Sequence, residues 1–301
     1  MRLILGVVLL FSLNLMAQDR FKIAFAQDTM GNDWRVAQVK EVENAIKKYK
    51  NVDFFYTNGK GDTATQIRNI EQILEQNVDL LITSPRGAKL MTPIVSKVYT
   101  NGTPVVLLSR TIMNDNYSSF LHPDNKLIAA QAAQYIAKRL KNKGKIFILQ
   151  HTPTSTPGMR RTQGFMDEIK KYPNIEIVGM KVANSQQTEA IIQTEKVILE
   201  GLKFDAIYAQ SDSMAIGAIK ALKKHNIDPK SIIITGIDYI SQARELIRKG
   251  ELDASYVYPT AGKQGVEEAM KILNKQNFKK EIIIPSTQVT KKNVEIVEPI
   301  F

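Results

Sequence analysis

The chain has 301 residues, of which 41 are lysine or arginine and 30 are aspartate or glutamate, so the formal net charge is 41 − 30 = +11. That length can bury one large core or two smaller ones. A nucleic-acid surface would combine clustered cations with aromatics, whereas the densest basic run, "KRLKNKGK" from Lys138, contains no aromatic residue. We therefore interpret most lysines as solvated helix faces and expect no nucleic-acid binding.

The first twenty residues, "MRLILGVVLLFSLNLMAQDR", have the pattern of an export signal. One early positive charge at Arg2 precedes an apolar run to Met16 and then Ala17. The run is shorter than the ~20 residues that a membrane span requires, so we predict a signal peptide over 1–17, with an uncleaved anchor as the alternative. The chain has no cysteine, which excludes disulfides and a lipid-modified cysteine. We expect a free periplasmic protein from a bacterium with two membranes.

From Phe21 onward, short β-rich runs alternate with amphipathic helical patterns, which is typical of βαβ units and parallel sheets. The predicted strands lie near 21–26, 52–57, 78–83, 104–108, 145–150, 174–180, 204–209, 231–236 and 253–258. The predicted helices lie near 33–50, 62–76, 87–100, 124–142, 159–171, 187–200, 212–225, 239–249 and 261–275. Nine strand–helix units are more than one ordinary doubly wound sheet contains. We predict two lobes that meet at the irregular stretch from Ser109.

Polar, planar and aromatic side chains recur where the predicted strands end. In open α/β sheets, ligands bind beyond the carboxyl ends of the strands. Arginine donates hydrogen bonds in a fixed fork, Asp and Asn accept them, and aromatic faces cover C–H surfaces, so this set suits a polyhydroxylated small molecule. The strand ends carry Asn32, Trp34, Arg35, Ser84, Pro85, Arg86, Ser109, Arg110, Arg160, Arg161, Ser211, Asp212, Asp238 and Tyr258. His122, in "LHPDN", is a further candidate for the same cleft.

Five motifs carry a resemblance to a known family. They are "PVVLLSR" from Pro104, "LHPDN" from Leu121, "RRTQGF" from Arg160, "FDAIYAQSDSMAIGAIKAL" from Phe204 and "IIITGID" from Ile232. In this order, over essentially the whole mature chain, they resemble the type I periplasmic sugar-binding proteins of the ribose- and galactofuranose-binding kind. The resemblance implies an α/β fold with two Rossmann-like lobes of parallel sheets, joined by a three-strand hinge.

The same resemblance implies the domain limits and the function. The first lobe would contain 18–122 plus 259–284, and the second lobe 123–258 plus 285–301. Hinge closure would capture a small sugar or sugar-like solute for import by the membrane subunits of an ABC transporter. The alternative is a sensing protein that presents its closed complex to a chemoreceptor or a sensor histidine kinase. We expect a monomer without cofactor or metal.

Individual site residues also follow from the resemblance. The aromatic lid of the family corresponds to Trp34, followed by Arg35 as in the galactofuranose-binding proteins. The resemblance implies that one lobe holds the ligand through Arg161, Asp212 and Asp238, and the other through Trp34, Arg35 and Arg110. The complete set of predicted ligand-binding residues is Asn32, Trp34, Arg35, Arg110, His122, Arg161, Ser211, Asp212, Asp238 and Tyr258.

Three positions depart from the family pattern. Ser109 replaces an aspartate, Ser211 replaces an asparagine, and Tyr258 stands where an amide is common. Losing a carboxylate at 109 changes the hydrogen-bonding capacity of the site. A furanose, a deoxy or modified sugar, and an acidic sugar paired with Arg35, Arg110 and Arg161 therefore all remain open.

Two other functional classes have weaker support. Gly59, Gly61 and Ala64 match the G-x-G-x-x-A spacing of a dinucleotide site, but the next strand ends without the acid that holds the ribose, and Asp62 would oppose a pyrophosphate. We favour a surface turn there, and no other motif suggests catalysis. A sugar-responsive repressor would need a helix-turn-helix before the core, where the predicted signal lies. The three histidines, His122, His151 and His225, lack metal-ligand spacing.

Overall fold

The structure, a computed structural model, describes residues 20–301, and the predicted signal peptide over 1–17 lies outside the described residues. The strands are β1 Phe21–Gln27, β2 Val52–Asn58, β3 Leu80–Thr83, β4 Val105–Leu108, β5 Ser119–Pro123, β6 Gly144–Gln150, β7 Ile175–Val182, β8 Ala206–Ala209, β9 Ile233–Thr235, β10 Ala254–Tyr256, β11 Glu281–Ile284 and β12 Gln288–Thr290. The α-helices are α1 Asp33–Ile46, α2 Thr63–Leu74, α3 Ala88–Thr100, α4 Asn125–Arg139, α5 Thr156–Ile169, α6 Gln187–Leu199, α7 Asp212–Lys224, α8 Ser241–Lys249 and α9 Gly262–Leu273. None of these helices is long and apolar enough to cross a bilayer.

The strands form two six-stranded sheets. The first has the order β11-β5-β4-β3-β1-β2, and all its neighbouring strands are parallel. The second has the order β12-β10-β9-β8-β6-β7 and is parallel except for β12, which pairs antiparallel with β10. Every residue of β3, β4 and β8 is buried, as expected for strands that are covered by helices on both faces.

Helices cover both faces of each sheet and build separate cores. In the first lobe, which contains the first sheet, α1 packs on α9 and α2 packs on α3. A Cβ at Gly262 would lie 2.9 Å from the backbone nitrogen of Val42, so glycine allows the close approach of α9 to α1. In the second lobe, which contains the second sheet, α4 packs on α5 and α6 packs on α7.

The chain passes between the two sheets three times. It leaves β5 for α4 at residue 124, leaves β10 for α9 through 257–261, and leaves β11 for β12 through 285–287. Each lobe is therefore built from two or more separate parts of the chain. The carboxyl end of β5 leads directly into the second lobe, so the strand ends of the first sheet face that lobe.

The α/β architecture predicted from the sequence is confirmed, but three strands were missed. β5 lies inside the stretch that we interpreted as an irregular crossing, because Asn, Asp and Ser surround its five residues. β11 and β12 have four and three residues, and their partner strands are distant in the sequence. Local periodicity carries little information about strands this short.

Candidate functional site

A cavity lies between the two lobes, where strands of both sheets end. Its empty volume is about 380 Å³, its open mouth included. Both lobes contribute to its wall, and most of the residues that line it are of polar type, together with the rings of Trp34 and Tyr258. The lining residues are Asn32, Trp34, Arg35, Ser109, His151, Pro157, Arg161, Ser185, Ser211, Ser213, Asp238 and Tyr258.

The turn after β1 starts a helix that points its first residues at the cavity. Asn32 has an extended backbone and its side-chain oxygen accepts from the backbone N–H of Arg35 at 2.9 Å, which caps α1. Helix α1 thus begins at the edge of the cleft, directly after the polar turn that follows β1. Trp34 and Arg35 occupy its first turn and are buried in the cavity wall.

One buried carboxylate organises the arginines of the first lobe. Asp28, directly after β1, is fully buried, and its Oδ2 lies 2.7 Å from Nη1 of Arg110. Its Oδ1 lies 3.2 Å from Nε of Arg35, and its Oδ2 lies 3.7 Å from Nη1 of Arg86. Burial, together with the positive charge of Arg35, lowers the pKa of Arg110 to about 9. One carboxylate therefore compensates part of the charge of three arginines, and the first-lobe wall keeps an excess of positive charge.

Hydrogen bonds hold the Arg35 side chain in place. Its Nη1 donates to Oγ of Ser84 at 2.8 Å, to Oε1 of Gln38 at 3.0 Å and to Oγ of Ser109 at 3.3 Å. Gln38 in turn donates to the carbonyl of Thr260 at 2.8 Å, in the segment between β10 and α9. The position of Arg35 is thus fixed by α1, two strand ends and a lobe crossing.

Trp34 connects the two walls. Its indole N–H donates to the carbonyl of Tyr258 at 3.0 Å, and the two rings are 5.7 Å apart and tilted by 56°. The guanidinium of Arg35 lies 4.9 Å from the centre of the indole ring. Trp34 also packs in the apolar cluster of α4 and α5, although it belongs to the first lobe. Its position therefore depends on contact between the lobes.

The second-lobe wall presents Arg161. Its Nε donates to Oδ1 of Asn125 at 2.9 Å, its Nη1 donates to the carbonyl of Gln210, and its guanidinium lies 4.4 Å from the ring centre of Tyr258. No carboxylate of residues 20–301 lies within ion-pair distance of it. A Cβ at Gly164 would lie 2.4 Å from the carbonyl oxygen of Lys126, so this glycine allows the close packing of α5 on α4 that aims Arg161 at Asn125.

Asp238 is the carboxylate of this wall. It is 7% exposed, and among the described residues no side chain lies within hydrogen-bonding or ion-pair distance of its carboxylate. Burial raises its pKa well above the usual value, the negative charge of Asp212 raises it further, and the positive charge of Arg161 lowers it. Two buried, opposite charges therefore border one cavity without a charged partner in direct contact.

The backbone of the cavity wall is strained at three residues. Ser109, Ser185 and Asp238 have φ values of 61°, 60° and 134°, which residues with a Cβ rarely adopt. Backbone bonds hold Asp238 in place, because its N–H donates to Tyr256 and its carbonyl accepts from Tyr258. Such strain is concentrated at functional sites.

His151 lies in the wall as a neutral imidazole. Its burial, and then the positive charges of Arg110 and Arg161, lower its pKa well below the usual value. Its Nδ1 lies 3.1 Å from Oγ of Ser155, which caps α5. The imidazole can thus accept or donate a hydrogen bond without adding charge to the cavity.

The structure brings seven of the ten predicted site residues to the cavity wall: Asn32, Trp34, Arg35, Arg161, Ser211, Asp238 and Tyr258. Ser211 reaches it as the cap of α7, where its Oγ accepts from the N–H of Met214. The hydroxyl of Tyr258 accepts from Asn125 at 3.2 Å, and its ring is in contact with Arg161 and Trp34.

The other three predicted residues lie outside that wall. Arg110 lies behind it, in contact with Asp28. His122 stacks on Phe120 with ring centres 4.0 Å apart, and its Nε2 lies 2.8 Å from a carboxylate oxygen of Glu281, because β5 and β11 are neighbours at the far edge of the first sheet.

Asp212 is the third residue, and it is part of the second-lobe core. Its Oδ1 accepts from Oγ of Ser255 at 2.7 Å, and its Oδ2 accepts from the N–H of Ile240 at 3.1 Å. Burial raises its pKa to about 6. Its carboxylate thus joins three segments of the second lobe, and it affects the cavity through its charge on Asp238.

Five residues of the wall were outside the predicted set: Ser109, which the sequence indicates only as a strand end, and His151, Pro157, Ser185 and Ser213. His151 directly follows β6, so the rule about strand ends could have found it. Ser185 lies in a loop after β7 that carries no comparable signal, yet its Oγ is buried and has no hydrogen-bond partner within residues 20–301. Such an unpaired hydroxyl at the wall is suited to a ligand.

The lobes also touch directly. The N–H of Ala88, at the start of α3, donates to the carbonyl of Thr154 at 3.0 Å, and the N–H of Thr111 donates to Oγ1 of Thr156 at 3.1 Å. Both bonds join the first lobe to the loop and helix start that follow β6. The structure is therefore a closed arrangement of the two lobes.

The glycine turn after β2 offers no phosphate site. The N–H groups of Gly59 and Gly61 each donate to carbonyls at the end of β1, at 2.9 Å, and Asp62 caps α2. A dinucleotide site would need those N–H groups for a pyrophosphate. The interpretation of this segment as a turn agrees with its contacts.

Two α/β lobes that close over a small polar cavity define a solute-binding protein. The chain belongs to the periplasmic binding protein domain family, whose sequence profile matches residues 23–277. It is a binding protein and not an enzyme.

Relatives and solved structures agree with this membership. A xylitol-binding protein of Mycolicibacterium smegmatis is 25% identical over 264 residues, which cover 87% of this chain and 75% of that protein. A ribose import binding protein of Bacillus subtilis is 25% identical over 277 residues, which cover 91% and 89%. The solved fructose-binding periplasmic domain of a hybrid two-component system is 34% identical, with a TM-score of 0.88 and coverage of 92% and 93%. A galactofuranose-binding protein, 22% identical with a TM-score of 0.87 and coverage of 91% and 96%, shares the fold.

Proposed function

We propose that this protein works in the periplasm, captures a small neutral sugar or polyol between its lobes, and presents the closed complex for import by an ABC transporter. The observation that carries the proposal is the pair of buried charges, Arg161 and Asp238, at one cavity. We also propose that the lobe limits predicted from the sequence, at 122/123, 258/259 and 284/285, define the two moving bodies.

A hydroxyl group satisfies both charges at once. It accepts a hydrogen bond from the guanidinium of Arg161 and donates its own proton to the carboxylate of Asp238. Vicinal hydroxyls on a ring or a chain would extend this pattern to Asn32, Ser185 and other polar groups of the wall. A ligand rich in hydroxyls therefore replaces the hydrogen bonds that burial removes.

The carboxylate of Asp238 beside Arg161 favours a neutral ligand over an acidic one. Arg35 and Arg110 are already in contact with Asp28, and Arg161 faces a carboxylate of opposite sign in Asp238. An acidic ligand would bring its own charge next to Asp238. Sugar acids are consequently the second choice among the ligand classes that the sequence left open.

The size and closure of the cavity support capture of one small molecule. The space between the lobes is small, with an empty volume of about 380 Å³ that includes its open mouth. Residues of both lobes line it, so a ligand makes all its contacts only when the lobes are closed. Binding would shift the population towards the closed state by this difference in affinity.

The names of the relatives are consistent with this class. They bind xylitol, ribose or fructose, which are small and polyhydroxylated. The relative with 34% identity is a domain of a two-component system. That observation supports the second candidate function, in which the closed complex is read by a sensor kinase or chemoreceptor rather than by transporter subunits.

A thermal-shift screen of the mature protein against pentoses, hexoses, furanose derivatives, polyols and sugar acids tests the proposal. A ligand at a hundred times its dissociation constant adds about 2.7 kcal/mol to the free energy of unfolding. Trp34 is the sole tryptophan of the chain, so its fluorescence reports on the cavity in the same samples. We expect a shift with one class of neutral sugar or polyol, together with a Trp34 signal. A shift with sugar acids alone, or with none of these compounds, would contradict the proposal.

A further inference from the structure

A second concave surface lies on the second lobe, away from the cleft. Its empty volume is about 1860 Å³, its open side included, and we call it the basic groove. It runs between the end of α4 and the edge strand β12. Its lining residues are Gln131, Gln134, Tyr135, Lys138, Arg139, Lys141, Lys230, Ile247, Gly250, Leu252, Asp253, Ser286, Gln288, Thr290, Lys291 and Lys292.

Five lysines of the basic groove have no carboxylate within ion-pair distance in the described part of the chain: Lys138, Lys141, Lys230, Lys291 and Lys292. The single acidic residue of the groove, Asp253, is paired with Arg139 at 2.5 Å. Elsewhere on the same lobe, lysines are paired with acids, as in Lys223 with Glu251 at 2.7 Å. Five unpaired lysines beside one acidic residue that is already paired give the groove an excess of positive charge.

The floor of the groove offers hydrogen-bonding groups. Ser286 lies in the segment that crosses from β11 to β12. Its Oγ is buried and has no hydrogen-bond partner within residues 20–301. The outer edge of β12 is already occupied, because Asn293 bonds the N–H of Thr290 and the carbonyl of Gln288, both at 2.9 Å. A partner would thus lie over the floor and could not add a strand to the sheet.

The groove is remote from the sugar site. Asn125, at the start of α4, bonds Arg161 in the cavity wall, whereas Arg139 is at the opposite end of the same helix. Fourteen residues of helix correspond to about 20 Å. All of the groove is on the second lobe, apart from its crossing residue Ser286, so lobe closure should leave its shape unchanged.

We propose that the basic groove binds an extended acidic peptide segment of a partner protein. Side-chain carboxylates would meet the lysines of the rim, and the peptide backbone would reach the floor groups such as Ser286. A flat bilayer would touch only the rim of a concave surface. Because the groove is independent of closure, this contact holds the protein to its partner in the open and the closed state.

The test uses the full mature chain and a fluorescein-labelled peptide of about ten glutamates, which spans about 33 Å when extended. Binding is followed by fluorescence anisotropy at low and at physiological salt. The variant is Lys291→Glu with Lys292→Glu, and Lys138→Glu with Lys141→Glu changes the opposite rim. Lys196→Glu with Lys203→Glu is the control, because it makes the same change of charge on exposed residues of the same lobe outside the groove.

We expect peptide binding that weakens with salt, falls about tenfold or more in either groove variant, and changes less than about twofold in the control. Saturating the cleft with its sugar should leave the peptide affinity unchanged.

Equal losses in the control would overturn the proposal, because they would mean that the net charge of the protein alone determines peptide binding. Inorganic phosphate that displaces the peptide at millimolar concentration, or phosphatidylglycerol vesicles that recruit the protein more tightly than the peptide, would also overturn the proposal. All variants are first compared by thermal unfolding, and since either groove pair suffices, one misfolded variant leaves the test intact.

Discussion

The first-lobe wall of the cleft pairs its buried charges internally, whereas the second-lobe wall leaves Arg161 and Asp238 without a charged side chain in direct contact. In the first lobe, Asp28 contacts Arg35 and Arg110, so its ionic contacts exist without a ligand. In the second lobe, the neighbours of Arg161 are an amide, a carbonyl and an aromatic ring. The comparison indicates that the first-lobe wall is already held together by its own ion pairs. The second-lobe wall provides the charged groups that a ligand can pair with.

Removing Asp28 should affect folding far more than recognition. Asp28→Asn leaves two buried arginines without compensation, so we expect the free energy of unfolding to fall by about 3–5 kcal/mol. Urea denaturation of the unliganded protein measures this loss. Asp33→Asn, an exposed change five residues along the chain, is the control and should cost less than about 1 kcal/mol. A similar, small loss in both variants would show that the first-lobe wall does not depend on its ion pairs.

The second-lobe wall should behave in the opposite way. Arg161→Gln removes a charged donor to the ligand, so we expect affinity to fall by about 1.5–3 kcal/mol, or about 10- to 150-fold. Arg160→Gln is the matched control, because Arg160 is adjacent but outside the cavity lining. Calorimetric titration with the sugar found in the screen gives both affinities. Equal effects at the two positions would remove Arg161 from the site.

A smaller effect is expected at the contact between the walls. Trp34→Phe keeps an aromatic face but loses the N–H bond to the carbonyl of Tyr258. We expect affinity to weaken by about 0.5–1.5 kcal/mol, because one hydrogen bond that stabilises the closed arrangement is lost. Stopped-flow measurements should place the change in the dissociation rate. An unchanged affinity would mean that Trp34 acts only through its ring.

The smallest effect is a fraction of a proton released on binding. Burial raises the pKa of Asp238 in the unliganded protein, and a hydroxyl that donates to its carboxylate favours the ionised form. The complex therefore has a lower pKa at Asp238, so binding releases protons and affinity increases as pH rises through the unliganded pKa. His151, with a lowered pKa, stays neutral over this range. Calorimetry in two buffers of different ionisation enthalpy measures the release, and proton uptake would contradict the account.

The sequence was sufficient for the fold class, and it led to most of the residues that line the cavity between the lobes. Alternating apolar runs and helical patterns fixed nine strands and their helices, and the strand-end rule selected Trp34, Arg35 and Arg161 correctly as residues of the wall. Asp212 shows the limit of that rule. Asp212 also follows a strand, but its carboxylate points into the core and accepts hydrogen bonds from Oγ of Ser255 and the N–H of Ile240. These partners are distant in the sequence, so the rule about strand ends does not predict this orientation.

The missed features have the same physical origin. β12 exists because β10 offers an edge to a segment more than thirty residues further along the chain, and no local pattern records that pairing. Ser185 reaches the cavity because its loop packs at the lobe boundary. Asp28 appeared as an ordinary residue after a strand, although three arginines converge on it. Such contacts depend on the tertiary structure and are not visible in the spacing of residues.

The most direct test of the central claim is a double-mutant cycle on Arg161 and Asp238. Dissociation constants are measured for the wild type, Arg161→Gln, Asp238→Ala and the double variant, after thermal unfolding has shown that each is folded. Asp238→Ala alone should weaken binding by about 1 kcal/mol or more. If the same hydroxyls of the ligand bridge both side chains, the two losses will not add, and the coupling energy will be about 0.5–3 kcal/mol. Losses that add within about 0.3 kcal/mol would show that the two charges act independently and would contradict a ligand held between them.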